Sequence, residues 1–300
     1  MTDWTFGGTW PYEPRWFDTP DGGLHYVDEG PRDGKPVVLC HGNPTWGYLY
    51  RNFLGPLAEA GYRAIAPDHL GFGRSDKPDD PELYSIPRHA DRLESLLESL
   101  DLEDAPVVGQ DWGGPIGFAW AARHPERATR LVVMNTFAHR PPEKVPLPLA
   151  LKACRVPLLG ELLVKRLHMF VRLFLFVGGV MHRERLTEEV RRAYLAPHPD
   201  AASRTGILVF PREIPSGPEG RVSDFLDEVH SGLMVFKERP VMIAWAFKDP
   251  AFIKEVLTDL WLEDFPHARL LELPDAGHFL QEDAHERIVP ELLEFLRESS

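Results

Sequence analysis

Two rhythms of apolar and polar residues alternate along this chain. Short apolar runs, continuous at 36–40 (Pro-Val-Val-Leu-Cys), 107–108, 131–134 and 241–246 and broken by charges at 62–66 (Arg63) and 269–273 (Arg269, Glu272), mark the candidate strands. Runs of this length are what strands buried on both faces of a sheet require. Between them, 48–59, 86–100 and the stretch after Gly114 to about 124 repeat apolar positions every three or four residues. In the second of these the repeat is Ala90, Leu93, Leu96, Leu97 and Leu100, the spacing of a helix that buries one stripe. Gly61 stops the first helix. Residues 15–29 predict two short strands around an Asp21-Gly22 turn. Strands that alternate with helices predict a mostly parallel sheet in a layered α/β fold.

The alternation breaks after 136. Residues 137–232 carry helical segments near 147–153, 159–177, 187–195 and 199–206, separated by Pro-rich turns, and no strand pattern. It resumes at 241–246, with a helix near 252–265 and a final amphipathic helix at about 284–297. The expected organisation is a core of 1–136 and 233–300 with a helical cap, 137–232, inserted after the strand that ends at Asn135. Such a cap lies over the carboxyl ends of the strands, where open α/β sheets bind ligands.

Composition narrows this picture. Three hundred residues, 43% of them hydrophobic, suit one large domain with an insertion. The net charge of −13, with no basic cluster in the sequence, speaks against nucleic acid or an anionic membrane as partner. Cys40 and Cys154 make no disulfide framework, so a reducing cytoplasm is the expected compartment. The N-terminus has neither the basic nor the apolar region of a signal peptide, and 173–181, the most apolar stretch, is too short to span a bilayer.

The chemistry concentrates at 105–117. A short apolar run feeds Gly109-Gln110-Asp111-Trp112-Gly113, and a helical pattern follows. This is the strand, sharp turn and helix that hold a nucleophile exposed at the top of a sheet. The usual residue there is Ser, and here it is Asp111. A carboxylate is ionised at neutral pH and can displace a leaving group from carbon without a base, forming an ester of its own side chain. A Gly-x-Asp-x-Gly turn alone is weak, because loop Asp residues mostly cap helices. Three other positions give it weight. Asn43 follows the 37–40 strand, Asp249 follows 241–246, and His278 follows 269–273, so all would face one crevice with Asp111. Nucleophile, acid and histidine come in the order of an α/β-hydrolase triad.

These motifs, His41-Gly42-Asn43-Pro44-Thr45-Trp46, the 68–76 loop, Gly109 to Gly114 and Gly277-His278-Phe279, resemble the haloalkane dehalogenases of the α/β-hydrolase superfamily. The resemblance covers nearly the whole chain and is weakest in the cap. It implies an α/β-hydrolase fold and hydrolysis of a small apolar haloalkane to an alcohol and halide. Asp111 would attack carbon, the neutral donors of Asn43 and Trp112 would hold the departing halide, and His278, oriented by Asp249, would activate water against the ester. Backbone N–H groups of Asn43 and Trp112 would hold the oxyanion. One branch of the family takes a halide donor from a cap Trp, but the Trp residues here are 4, 10, 16, 46, 112, 120, 245 and 261, which leaves Asn43. Another branch places the acid where this chain has Asn135-Thr136, which leaves Asp249. This combination resembles the third subfamily, which also implies a homo-oligomer.

The resemblance implies no cofactor, and His168 and His182 lack metal-ligand spacing. His41, Asp68, Arg74 and Asp76 read as loop-holding residues. Phe170, Phe174, Phe176 and Val177 read as core, with some lining the cavity beside Phe252, Phe279 and Leu280. An epoxide hydrolase shares the Asp nucleophile but takes protons from two cap Tyr, and only Tyr194 falls in the cap. A fluoroacetate dehalogenase places Arg just after its nucleophile, where this chain has Trp112-Gly113-Gly114. A catalytically silent binding protein is the alternative from another class.

Overall fold

The computed structural model describes residues 2–140, 147–252 and 254–298. Among these, eight strands form one sheet: β1 (Arg15–Thr19), β2 (Gly22–Glu29), β3 (Lys35–Cys40), β4 (Tyr62–Pro67), β5 (Ala105–Asp111), β6 (Ala128–Thr136), β7 (Val241–Ala246) and β8 (Arg269–Leu273). Their order is β1-β2-β4-β3-β5-β6-β7-β8. β1 pairs antiparallel with β2, and β2 antiparallel with β4; every other pairing is parallel. The two ends of the sheet, β1 and β8, alternate in exposure, whereas β5 and β7 are buried throughout. Thus the apolar runs of 107–108 and 241–246 belong to central strands covered on both faces.

Helices α1 (Arg51–Glu59), α2 (Ile86–Ser99) and α3 (Gly113–Arg123) connect the strands of the first half. Each falls where apolar spacing predicts it, except that 47–50 is a separate 3₁₀ turn ahead of α1. α3 packs against β5, β3 and β6. The approach is close enough to demand glycine: a Cβ at Gly113 would stand 2.2 Å from the carbonyl oxygen of Cys40.

Between β6 and β7 the described residues are helical, with no strand: α4 (Leu149–Arg155), α5 (Glu188–Leu195), α6 (Thr205–Glu213) and α7 (Arg221–Leu233). Residues 141–146 of the expected cap lie outside the described residues. The single helix expected over 159–177 is instead two π-helical segments, Glu161–Arg166 and Phe170–Gly179, interrupted where His168 takes φ 52°. The wider π turn keeps an apolar repeat, so hydrophobic spacing alone does not reveal the break. The helix expected at 199–206 forms later, as α6. The chain closes with α8 (Lys254–Asp264) and α9 (Leu280–Arg297), the latter kinked at Ala284. α7 packs on α3, with Gly232 against Ala122. No helix among the described residues is long and apolar enough to cross a membrane.

Candidate active site

β3, β5, β6, β7 and β8 are consecutive neighbours in the sheet, and their carboxyl ends deliver five polar side chains to one place. Asp111 ends β5 with φ 52°. For a side chain other than glycine that left-handed backbone costs ~1–2 kcal/mol, and it turns the carboxylate out of the sheet. Close approach by the next loop is possible only because residue 42 lacks a side chain: a Cβ there would lie 2.3 Å from Asp111 Oδ1. The backbone N–H of Asn43 donates to that oxygen at 2.8 Å. One oxygen of Asp111 is therefore anchored, and the other, Oδ2, stands 3.5 Å from His278 Nε2.

His278 follows β8 and is wholly buried. Its Nδ1–H donates to Asp249 Oδ2 at 2.7 Å. Asp249 in turn accepts the backbone N–H groups of Ala251 and Phe252 on Oδ1 and the side chain of Asn135 on Oδ2 at 2.8 Å. Burial works against a charge on Asp249, yet attraction to His278 and these donors hold its carboxyl below the usual range. Burial also works against a charge on His278, but Asp249 and Asp111 push its pKa up to about 10. At neutral pH the imidazole is thus a cation held between two carboxylates. The rings of Phe174, Phe252 and Phe279 pack around it at 5.3, 5.1 and 4.7 Å.

Trp112 follows the nucleophile and packs edge-on against Phe137 at 4.9 Å. Among the described residues, nothing accepts its indole N–H. The Asn43 amide donates to Ile207 O at 3.4 Å, a long bond that leaves its second N–H free.

All five residues expected from the sequence, Asp111, Asp249, His278, Asn43 and Trp112, come together at this edge. Of the two expected oxyanion donors, the N–H of Asn43 bonds Asp111, and no such bond comes from the N–H of Trp112. Two residues escaped sequence reading. Asn135, at φ 35°, bridges Asp249 and both polar groups of the Ala246 peptide. Gln110 donates to the carbonyl of His278 at 3.1 Å and lies 3.2 Å from Nε2. The available signal was position alone, because each sits at the carboxyl end of a central strand.

The supporting loops behave as expected. Asp68 accepts the N–H groups of Gly47 and Arg74 and pairs with His25 Nδ1 at 2.8 Å. His41 accepts the N–H of His69. Burial lowers the pKa of His41 and His69, so both stay neutral. Of the aromatic repeat, Phe170 and Phe176 are buried and Phe174 reaches His278, but Val177 is exposed rather than core. Elsewhere, His139, His230 and Asp264 bring three metal-type ligand atoms within 4.8 Å of one another, outside the Asp111 cluster.

Comparisons with known proteins agree with this fold. Residues 35–285 match the alpha/beta hydrolase fold family. The chain is 39% identical over 291 residues to a cis-3-alkyl-4-alkyloxetan-2-one decarboxylase of Shewanella oneidensis, covering 96% of this chain and 90% of the relative. It is 35% identical over 285 residues to haloalkane dehalogenase 2 of Mycobacterium tuberculosis, covering 95% of each. The tetrameric haloalkane dehalogenase DpaA of Paraglaciecola agarilytica superposes with a TM-score of 0.79 at 28% identity, covering 95% of this chain and 92% of that one. The chain belongs to the α/β-hydrolase family. Within it, the chain is a hydrolase-fold enzyme related to the haloalkane dehalogenases and to the oxetanone decarboxylases.

Proposed function

We propose that the chain displaces an anionic leaving group from a saturated carbon, with Asp111 as the nucleophile. The observation that carries this is the division of labour on one carboxylate. Asn43 N–H fixes Oδ1 and leaves Oδ2 free to attack beside His278. The indole N–H of Trp112 and the side-chain amide of Asn43 supply neutral donors for the departing charge. Asp249 and Asn135 position His278. The helical insertion between β6 and β7 is read as the cap over this edge, with α7 packed on α3 of the core.

Two leaving groups suit this arrangement. In a haloalkane, the carbon–halogen bond breaks as the bond to Oδ2 forms. Esterification removes the Asp111 charge that helps keep His278 protonated, so the imidazole can release its proton, and water activated by neutral His278 then returns the carboxylate and an alcohol. In a cis-3,4-dialkyloxetan-2-one, Oδ2 attacks ring carbon 4 and the ring C–O bond breaks, leaving a carboxylate on carbon 3. Loss of CO₂ then sends its electron pair into a carbon–carbon double bond and expels Asp111 as carboxylate. That second step needs no water, and the three Phe rings around His278 provide the apolar surroundings in which a carboxylate loses its solvation. With the 39% relative named for this reaction, the lactone is the favoured natural substrate and dehalogenation an accompanying activity.

The geometry weighs against an epoxide hydrolase. Tyr194 is buried and donates to Glu282 Oε1 at 2.5 Å, so it is not aimed at Asp111. The complete Asp111–His278–Asp249 alignment gives no support to a silent binder.

The test is a side-by-side assay of a cis-dialkyl β-lactone, 1-bromobutane and styrene oxide, with Asp111→Ala as control. Alkene and CO₂ from the lactone, abolished by the substitution, support the proposal. Bromide release without alkene shifts the assignment to dehalogenation. Turnover of styrene oxide alone overturns both.

A further inference from the structure

Of the eleven large apolar side chains that stand exposed among the described residues, eight lie between 149 and 177. They include Leu149 and Leu158, at 83% and 84% exposed, and Leu162, Leu167, Leu173 and Val177. Scattered single exposures are ordinary, but this concentration in one stretch is not. The same stretch carries Lys152, Arg155, Lys165, Arg166 and Arg172 against a single acid, Glu161, in a chain whose net charge is −13. Lys165 pairs with Asp79, and Arg155 bonds the carbonyls of Pro211 and Ile214. Lys152, Arg166 and Arg172 are exposed and form no ion pair among the described residues. This local reversal of sign corrects the expectation, drawn from the total charge, that the sequence holds no basic cluster and meets no anionic membrane. Cations without an ion pair among the described residues, interleaved with exposed Leu and Val, have the composition of a surface that lies in a lipid interface, here spread over α4 and the two π segments.

The π segment Phe170–Gly179 connects this face to the chemistry. Phe174 packs on His278 at 5.3 Å, while Leu173 and Val177 of the same segment face solvent. One helical thickness separates the exposed apolar face from the candidate site. A second copy of the chain is a poorer occupant. Two-fold self-association would bring the cations of both copies into one interface, and like charges repel.

We propose that the 149–177 face docks on an anionic phospholipid surface and takes long-chain apolar substrate from it. The substrate clause rests on the proposed displacement reaction; the docking clause does not. Phospholipid phosphates pair with the free cations, and the apolar side chains enter the acyl boundary without spanning it.

The experiment is co-sedimentation of the full chain with phosphatidylcholine vesicles, with and without phosphatidylglycerol, at low and high salt. Wild type is expected to sediment with the anionic vesicles at low salt. Arg166→Glu/Arg172→Glu is expected to weaken binding on the order of tenfold or more, and Leu158→Glu/Leu162→Glu to abolish it while leaving turnover of a short soluble substrate unchanged. Asp111→Asn should bind vesicles like wild type whether or not the reaction is correctly assigned. Failure of folded wild type to bind, or binding indifferent to both double substitutions, overturns the proposal. So does light scattering that shows an oligomer which Leu158→Glu/Leu162→Glu converts to monomer, because another copy then covers the face.

Discussion

Asp249 Oδ2 takes the Nδ1–H of His278 at 2.7 Å, and that bond decides which imidazole nitrogen is left for Asp111. With Nδ1 protonated, the basic lone pair can appear only on Nε2, beside the nucleophile. Asp249→Asn offers Nδ1 an amide donor instead and forces the proton onto Nε2. Attack by Asp111 does not need that lone pair, so the alkyl ester still forms. Its hydrolysis does, so turnover of a haloalkane should fall ~10⁴-fold. Intact-protein mass spectrometry should show the adduct accumulating. Alkene release from a β-lactone bypasses water and should fall far less. Equal loss of both activities would mean that His278 acts in the displacement step itself.

The charge on His278 makes stability depend on pH. Its folded pKa of about 10 lies above the ordinary value near 6.5. The contribution is complete below about 6.5, fades as pH rises, and is gone above about 10. Asp111→Asn removes one of the two carboxylates that raise the pKa, so the variant should lose less over the same range. Thermal melts from pH 6 to pH 10.5 check this. Wild type should lead or match at the acid end and give ground steadily toward the alkaline end. A constant difference between the two proteins would place the cation elsewhere.

Trp112 offers the donor most directly committed to the leaving group. Trp112→Phe keeps an aromatic ring against Phe137 and removes only the indole N–H. Losing one such donor costs about 10²–10³ in kcat, with little change in KM. Stopped-flow measurement of the first turnover should show the loss in ester formation. A change confined to KM would make Trp112 a wall of the cavity rather than a donor.

How far the sequence reveals these relationships depends on the range of the interaction involved. Asp111 was legible because strand, glycine turn and helix are local, and Asp249 and His278 because each follows its strand directly. Asn135 was read only as the absence of an acid. Its bond to Asp249 joins residues 114 positions apart, and nothing in either segment marks it. The cap was least legible. Apolar repeats place helices at 147–153 and 187–195 within a few residues. They cannot distinguish one α-helix from two π segments, since residues four apart share a face in both. Nor does total charge report that Lys152, Arg166 and Arg172 share a stretch with exposed leucines.

A buried ion pair ties the helical insertion to the core and gives a prediction about stability alone. Arg51, on α1, bonds Glu282 of α9 through both guanidinium nitrogens, at 2.5 and 2.7 Å. Tyr194 of α5 donates to the same carboxylate. Both charges are nearly out of solvent. Taking two ions from water is costly, and only their mutual pairing offsets it. Glu282→Leu would strand the guanidinium and the Tyr194 hydroxyl together, for a loss of ~3–5 kcal/mol. At about 2–4 °C per kcal/mol for a domain approaching this size, Tm should fall by roughly 10 °C or more. Removing the stranded charge as well, in Arg51→Met/Glu282→Leu, should recover most of it. Calorimetry of the two variants separates the cases. A single variant no less stable than wild type would mean that water reaches Arg51 and that the pair holds little of the insertion in place.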